Sequence, residues 1–193
     1  MAARRARGGR VRIIGGDWRG RKLPVPDAPG LRPTGDRVRE TLFNWLQYQV
    51  PGGRVLDLFA GSGALGFEAA SRGAREVVML ERDARVASQL RENAATLGAG
   101  AVRVEHGDAL QWLESQKTAF DVVFVDPPFD AGLLTQVIES VRDNGIIGPA
   151  GRLYFEFDVK QEPPAVGQGW RELKRKQAGQ VGFGLLEPVA STG

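Results

Sequence analysis

At 193 residues, 42% hydrophobic and 25% charged, the chain is sized for one domain with a real core and has an ordinary soluble composition. It has no cysteine and a single histidine, His106, which excludes disulfides, thiolate metal sites and cysteine nucleophiles and leaves no metal cluster. No apolar stretch approaches the ~20 residues of a membrane span, and the arginine-rich start lacks the apolar core of a secretory signal, so a cytoplasmic protein without a membrane partner is expected.

The net charge of +3 is unevenly spread. Residues 1–40 hold eleven Arg/Lys against four acids, a local +7, so the remainder carries −4. A basic leading segment on a mildly acidic body suggests an anionic polymer partner, bound with a steep salt dependence. Residues 1–9 also read as a solvated tail. From Arg10 to Lys22 apolar and aromatic residues (Val11, Ile13, Ile14, Trp18, then Leu23) interleave with the charges, which predicts a short strand pair with a basic face. Pro24, Pro26, Pro29, Gly30 and Pro33 mark an irregular connector.

Asp36 is then expected to cap a helix carrying Val38, Thr41, Leu42, Trp45 and Leu46, ended by Pro51-Gly52-Gly53. Strand and helix signals alternate from Arg54 onward. Strands are predicted at Val55–Phe59, Val77–Glu81, Val102–Glu105, Val122–Asp126 and Leu153–Phe157. Helices are predicted at Ala64–Arg72, Ala84–Leu97, Ala109–Glu114 and Leu133–Arg142. Continuous apolar strands in this rhythm predict an α/β, doubly wound, mostly parallel Rossmann-like sheet. After Pro163-Pro164, Trp170–Gln177 and Val181–Val189 flank Ala178-Gly179 and read as an antiparallel hairpin closing the sheet edge.

Gly61-Ser62-Gly63-Ala64-Leu65-Gly66 spells G-x-G-x-x-G between a strand and a helix, a loop that lets a ligand approach backbone N–H groups. Alone it suits a nicotinamide dinucleotide as well as other nucleotides. Asp57, four residues earlier, would face a pyrophosphate unfavourably and suits a ligand with an ammonium group, such as S-adenosyl-L-methionine. Glu81, ending the next strand, is placed for ribose hydroxyls. Gly107-Asp108-Ala109 places a carboxylate where an adenine amino group could donate to it. Each acid alone could be a surface charge or helix cap; all three end successive parallel strands, where such sheets bind ligands.

Asp126-Pro127-Pro128-Phe129 follows the fourth strand, beside the glycine loop in the expected sheet. The exocyclic amine of a nucleobase is a poor nucleophile because its lone pair is delocalised into the ring. Acceptors for both N–H groups draw the nitrogen toward tetrahedral geometry, and the Asp126 carboxylate and Pro127 carbonyl can supply them. The prolines fix their direction, and Phe129 offers a face for the base, worth ~1–3 kcal/mol. A methyl transferase acting on a planar amine follows. The chain has no cysteine for the covalent adduct commonly used to methylate pyrimidine C5, which argues against that chemistry.

At these residues the chain resembles the class I S-adenosylmethionine-dependent methyltransferases. Upstream, Arg12-Ile13-Ile14-Gly15-Gly16-Asp17-Trp18-Arg19-Gly20-Arg21-Lys22-Leu23 and Arg32-Pro33-Thr34-Gly35-Asp36-Arg37-Val38-Arg39-Glu40-Thr41-Leu42-Phe43-Asn44 look like the signature of the RsmD family, bacterial enzymes that methylate N2 of a guanine in 16S rRNA. The resemblance runs from about Arg10 to Val189. It implies a monomeric seven-stranded methyltransferase domain over residues 34–193 and a basic RNA-contacting extension over 1–33, acting on an assembled or assembling small ribosomal subunit. It places Asp57, Ala60, Gly61, Ser62, Gly63, Glu81, Arg82, Gly107, Asp108, Ala109 and Asp126 at the cofactor and Asp126 to Phe129 at catalysis. Arg10, Arg12, Trp18, Arg19, Arg21, Lys22, Arg32, Arg37 and Arg39 are placed on RNA, with Thr34, Arg37 and Arg39 undivided between cofactor and RNA. Adenine-N6 methylation of DNA, methylation of a glutamine amide, a nicotinamide oxidoreductase and a non-catalytic RNA-binding protein are the alternatives. The first uses the same amine chemistry, but no separate DNA-reading domain is visible in 193 residues. A glutamine amide leaves the basic segment without a purpose, and an oxidoreductase leaves Asp57 and the Asp126 tetrapeptide unexplained. The intact Asp126 and glycine loop argue against a non-catalytic protein.

Overall fold

A computed structural model describes residues 8–128 and 132–189. In chain order the elements are β1 (Arg10–Arg12), β2 (Lys22–Pro24), α1 (Asp36–Trp45), β3 (Arg54–Asp57), α2 (Ala64–Ser71), β4 (Glu76–Glu81) and α3 (Ala84–Leu97). They continue with β5 (Val102–His106), α4 (Ala109–Ser115), β6 (Phe120–Val125), α5 (Leu133–Asp143), β7 (Ile147–Asp158), β8 (Trp170–Ala178) and β9 (Val181–Pro188). Seven strands form one sheet in the order β5-β4-β3-β6-β7-β9-β8, and β1 and β2 form a separate antiparallel pair. β3 to β7 are parallel, while β9 runs antiparallel between β7 and β8. The expected doubly wound sheet with its C-terminal hairpin is the architecture found.

Successive residues of the central strands project to opposite faces, and the core divides accordingly. Val55, Val77, Met79, Val122 and Phe124 pack with α1, α2, α3 and the β1–β2 pair. Leu56, Val78, Leu80, Val123 and Val125 pack with α4 and α5 on the other face. Both faces being covered explains the unbroken apolar runs in β4 and β6. Val11 and Leu23, the buried residues of the β1–β2 pair, join the first cluster, leaving Arg10, Arg12 and Lys22 exposed.

Three expectations change. Asp36 does not cap α1: Gly35 holds the N-cap without a side-chain bond. One residue inside the helix, Asp36 accepts from Arg12 at 2.7 Å and Arg39 at 2.6 Å, and the hydrogen bond from Arg12 holds its carboxyl below the usual range. Two arginines outcompete backbone N–H groups for its oxygens, and it still lies favourably against the helix dipole. The strand expected at Val55–Phe59 stops at Asp57, after which the chain leaves the ladder to form the glycine loop. Conversely β7 extends upstream to Ile147, across a register shift against β6 that residue patterning does not reveal.

Candidate active site

A cavity of about 980 Å3 opens at the carboxyl ends of the parallel strands. The successors of β3 lie on opposite sides of it, β4 on one and β6 on the other, which makes this the switch point of the sheet. Asp57 closes β3 and is 1% exposed. Its Oδ2 accepts from the Gly66 N–H at 3.1 Å, whereas its Oδ1 is buried without a hydrogen-bond partner among the described residues. Burial, reinforced by the nearby Glu81 charge and opposed by the Gly66 N–H, pushes its carboxyl up to about 7. A cationic donor placed against Oδ1 would satisfy this atom and restore the charge.

The glycine loop is held from two sides. Gly63, the N-cap of α2, has φ of 79°, and a Cβ there would lie 2.6 Å from Phe67 and 2.8 Å from Leu90. A side chain at this position would be strained and would clash with the core. Glu81, ending β4, accepts from Gly61 N–H at 2.9 Å and from Asp83 N–H at 2.8 Å. Glu81 thus shapes the loop while lining the cavity. Asp108 caps α4, its Oδ1 accepting from Leu110 and Gln111 N–H groups, while Oδ2 has no hydrogen bond among the described residues. His106 ends β5 as a polar strand terminus, its Nε2 3.0 Å from the Arg82 carbonyl.

Asp126 follows β6 and lines the same cavity with Pro127 and Pro128; Phe129 and the stacking role expected of it lie outside the described residues. The Thr34 hydroxyl lies 3.1 Å from Glu156 Oε1 and 3.5 Å from Asp126 Oδ2, and the Tyr154 hydroxyl donates to Glu156 Oε1 at 2.7 Å. Burial raises both carboxyls. For Asp126 the Glu156 and Asp57 charges raise it further; for Glu156 hydrogen bonds from Tyr154, Thr34 and Asp126 oppose the rise. This acidic floor, on three adjacent strands β3, β6 and β7, attracts cations and N–H donors and repels phosphate.

The residues expected at the cofactor converge: Ala60, Gly61, Ser62, Arg82, Gly107 and Ala109 line the cavity with the acids, and Gly63 shapes it from behind. Of the basic set, Arg32 lines the rim, Arg19, Arg21, Lys22, Arg10 and Arg37 are exposed, and Trp18 is half-buried. Arg12 is exposed while paired with Asp36. Arg39 is a correction. It is 2% exposed, donating to the Thr34 and Arg12 carbonyls and pairing with Asp36 and Glu68, and presents no surface to RNA. A helical arginine facing the core reads in sequence like its exposed neighbour Arg37. Glu156 is the site residue that the motif reading missed. Its signal is an acid within the apolar run Leu153-Tyr154-Phe155-Glu156-Phe157.

Comparison with known proteins agrees with this geometry. The family model described as Conserved hypothetical protein 95 matches residues 11–187. A protein of Escherichia coli (strain K12) named Ribosomal RNA small subunit methyltransferase D is 50% identical over 182 residues, covering 94% of this chain and 92% of its own. Its namesake from Haemophilus influenzae is 46% identical, covering 93% and 94%. A solved structure from Escherichia coli superposes with a TM-score of 0.87 at 47% identity, covering 95% of this chain and 100% of that one. The chain belongs to this family, the RsmD family of class I methyltransferases.

Proposed function

We propose that the chain transfers a methyl group from S-adenosyl-L-methionine to the exocyclic N2 amine of a guanine in 16S rRNA, within an assembled or assembling small ribosomal subunit. The observation that carries the chemistry is the juxtaposition, in one cavity, of the unpartnered Asp57 Oδ1 and the Asp126-Pro127-Pro128 segment. The names of the relatives at 50% and 46% identity support the substrate. When bound, the cofactor supplies an electrophilic methyl on a sulfonium, the C–S electrons staying with sulfur as the N–C bond forms. Asp57 holds the ammonium, Glu81 the ribose hydroxyls and Asp108 the adenine amine, with Ala60, Gly61, Ser62, Gly63, Arg82, Gly107 and Ala109 around them. Asp126 and the Pro127 carbonyl accept the two N–H groups of the target amine and align its lone pair. Such alignment can lower a barrier by ~7–11 kcal/mol in favourable cases. The proton lost from the methylated nitrogen leaves through Asp126 to solvent.

Residues 1–33 serve as the RNA-contacting extension, through Arg10, Arg12, Trp18, Arg19, Arg21, Lys22 and Arg32 with Arg37, and 34–193 as the catalytic domain. The enzyme acts as a monomer in the cytoplasm; among the described residues no helix is long and apolar enough to cross a membrane. The test is transfer of labelled methyl to small subunits from cells lacking this protein, beside free rRNA and DNA, followed by nucleoside analysis. N2-methylguanosine on subunits is the expected product. N6-methyladenine, or no label despite measurable cofactor binding, would overturn the guanine assignment.

The Asp57 assignment has its own check. Its carboxyl titrates near 7 when folded and near 3.8 when unfolded, so the native state holds a proton the unfolded state has lost. Its contribution is therefore complete below about pH 4 and declines as pH rises through 7. Asp57→Asn is expected to lessen the fall in Tm between pH 5 and pH 8, while cofactor affinity by calorimetry drops at least about tenfold through loss of a charged hydrogen bond. Unchanged affinity would remove Asp57 from the cofactor site.

A further inference from the structure

Glu156 has no part in the chemistry above, yet it is a 4% exposed carboxyl that lines the cavity beside Asp126. Its setting is asymmetric. The hydroxyls of Tyr154 and Thr34 both reach Oε1, at 2.7 and 3.1 Å, fixing the carboxyl plane, and no backbone or hydroxyl donor among the described residues reaches Oε2. Asp126 is its acidic neighbour, and the Thr34 hydroxyl lies between them, 3.5 Å from Asp126 Oδ2. β6 and β7 are adjacent and parallel, pairing Val125 with Phe155, so Asp126 and Glu156 stand side by side one residue further on. Two carboxyls abreast form a poor floor for any base edge that presents an acceptor beside its amine.

Resting on the guanine-N2 reading above, we propose that Glu156 is the specificity-determining residue of this site, accepting the N1–H of the target guanine while Asp126 accepts an N–H of its N2 amine. Guanine alone among the four RNA bases presents two adjacent N–H donor groups, N1–H and N2–H2, to a pair of acceptors. Adenine places the N1 lone pair next to its N6 amine, and that lone pair would meet a carboxylate oxygen. Cytosine likewise sets N3, an acceptor, beside N4. Burial raises both carboxyls and the Glu156 charge raises Asp126 further, and N–H donors of a base placed against the two acids would offset that cost. Tyr154 and Thr34 act as positioning residues, because both fix the Oε1 side of Glu156.

2-Aminopurine keeps the N2 amine of guanine, replaces N1–H with a bare N1 acceptor and also lacks O6, so the comparison with Glu156→Gln is what assigns a difference to this contact. Small subunits would be reconstituted around 16S rRNA ligated to carry guanine or 2-aminopurine at the methylated position, and kcat/KM for methyl transfer measured on each. The wild-type protein is expected to prefer guanine by about tenfold to hundredfold, the range of a matched base-edge contact. Glu156→Gln keeps an acceptor for Tyr154 and Thr34 and can turn its NH2 toward N1. Its guanine rate is expected to fall about tenfold or more, with the preference shifting toward 2-aminopurine. The ratio of the two rates within one preparation is independent of the fraction folded. If the variant slows both substrates equally, or the wild type does not distinguish them, Glu156 is a structural acid and the inference falls alone. If the wild type methylates neither subunit while binding cofactor, the guanine-N2 reading falls and takes the inference with it.

Discussion

Asp126→Ala is expected to lower methyl transfer to small subunits on the order of 10³-fold, the upper end of the cost of removing one preorganised polar group from a reaction centre. The substitution deletes the side-chain acceptor that aligns the target amine and leaves only the Pro127 carbonyl. RNA binding should persist, because the exposed basic residues of the β1–β2 pair and its loop, Arg10, Lys22, Arg19 and Arg21, are not part of the cavity lining. Cofactor affinity should change much less than turnover, since Asp57, Glu81 and Asp108 remain. The protein should also stay folded at neutral pH. Asp126 is a carboxyl raised by burial and by Glu156 and Asp57, so removing it relieves repulsion among the three acids. Single-turnover rates with RNA binding by filter retention decide the matter: full turnover in the variant would dismiss Asp126 as the amine acceptor, and lost RNA binding would show a structural defect instead.

The largest stability effect is expected at Glu68, far from the chemistry. Glu68 is fully buried on α2, and its carboxylate accepts from the N–H groups of Ile14 at 2.9 Å and Gly15 at 2.8 Å. It also pairs with Arg72 at 2.8 Å and with buried Arg39 at 3.4 Å. Glu68→Ala leaves the two backbone donors without their acceptor and takes the buried carboxylate away from Arg72 and from Arg39, which keeps Asp36 and two carbonyls. Breaking a buried pair by removing one partner costs about 3–5 kcal/mol, and a chain of this size should lose on the order of 10 °C in Tm. The loop that carries Trp18, Arg19 and Arg21 is fastened at the same place: Ser71 donates to the Gly15 carbonyl and accepts from Trp18 N–H, at 2.6 and 2.9 Å. Gly16, with φ of 74°, lies so near that a Cβ would stand 1.9 Å from the Ser71 carbonyl oxygen. Thermal unfolding followed by circular dichroism tests this, and a Tm within a degree or two of wild type would show that the arginines find other partners.

These two residues mark how far the amino-acid sequence could be read. Asp126 was legible because its neighbours dictate its place: an apolar run must be a buried strand, and prolines stop that strand at the sheet edge. Asp57, Glu81 and Asp108 were legible for the same local reason, each closing a strand or opening a helix. Even the β1–β2 pair announced itself by the alternation of Arg10, Val11 and Arg12 around one buried side chain. Local pattern and short-range sterics therefore determined the element order, the doubly wound sheet and the cofactor edge.

What tertiary structure alone decided were the pairings of charges distant in sequence. Arg37 and Arg39 differ only in which side of α1 they occupy, and the packing of that helix on the sheet buries one and exposes the other. Nothing in its local sequence marks Glu68 as buried; the Ile14-Gly15 loop, more than fifty residues away, brings its N–H groups to it. Glu156 gained its meaning from Thr34, 122 residues upstream, and from Asp126 on the neighbouring strand. A buried charge is tolerated only where partners satisfy it, and those partners come together only when the chain has folded.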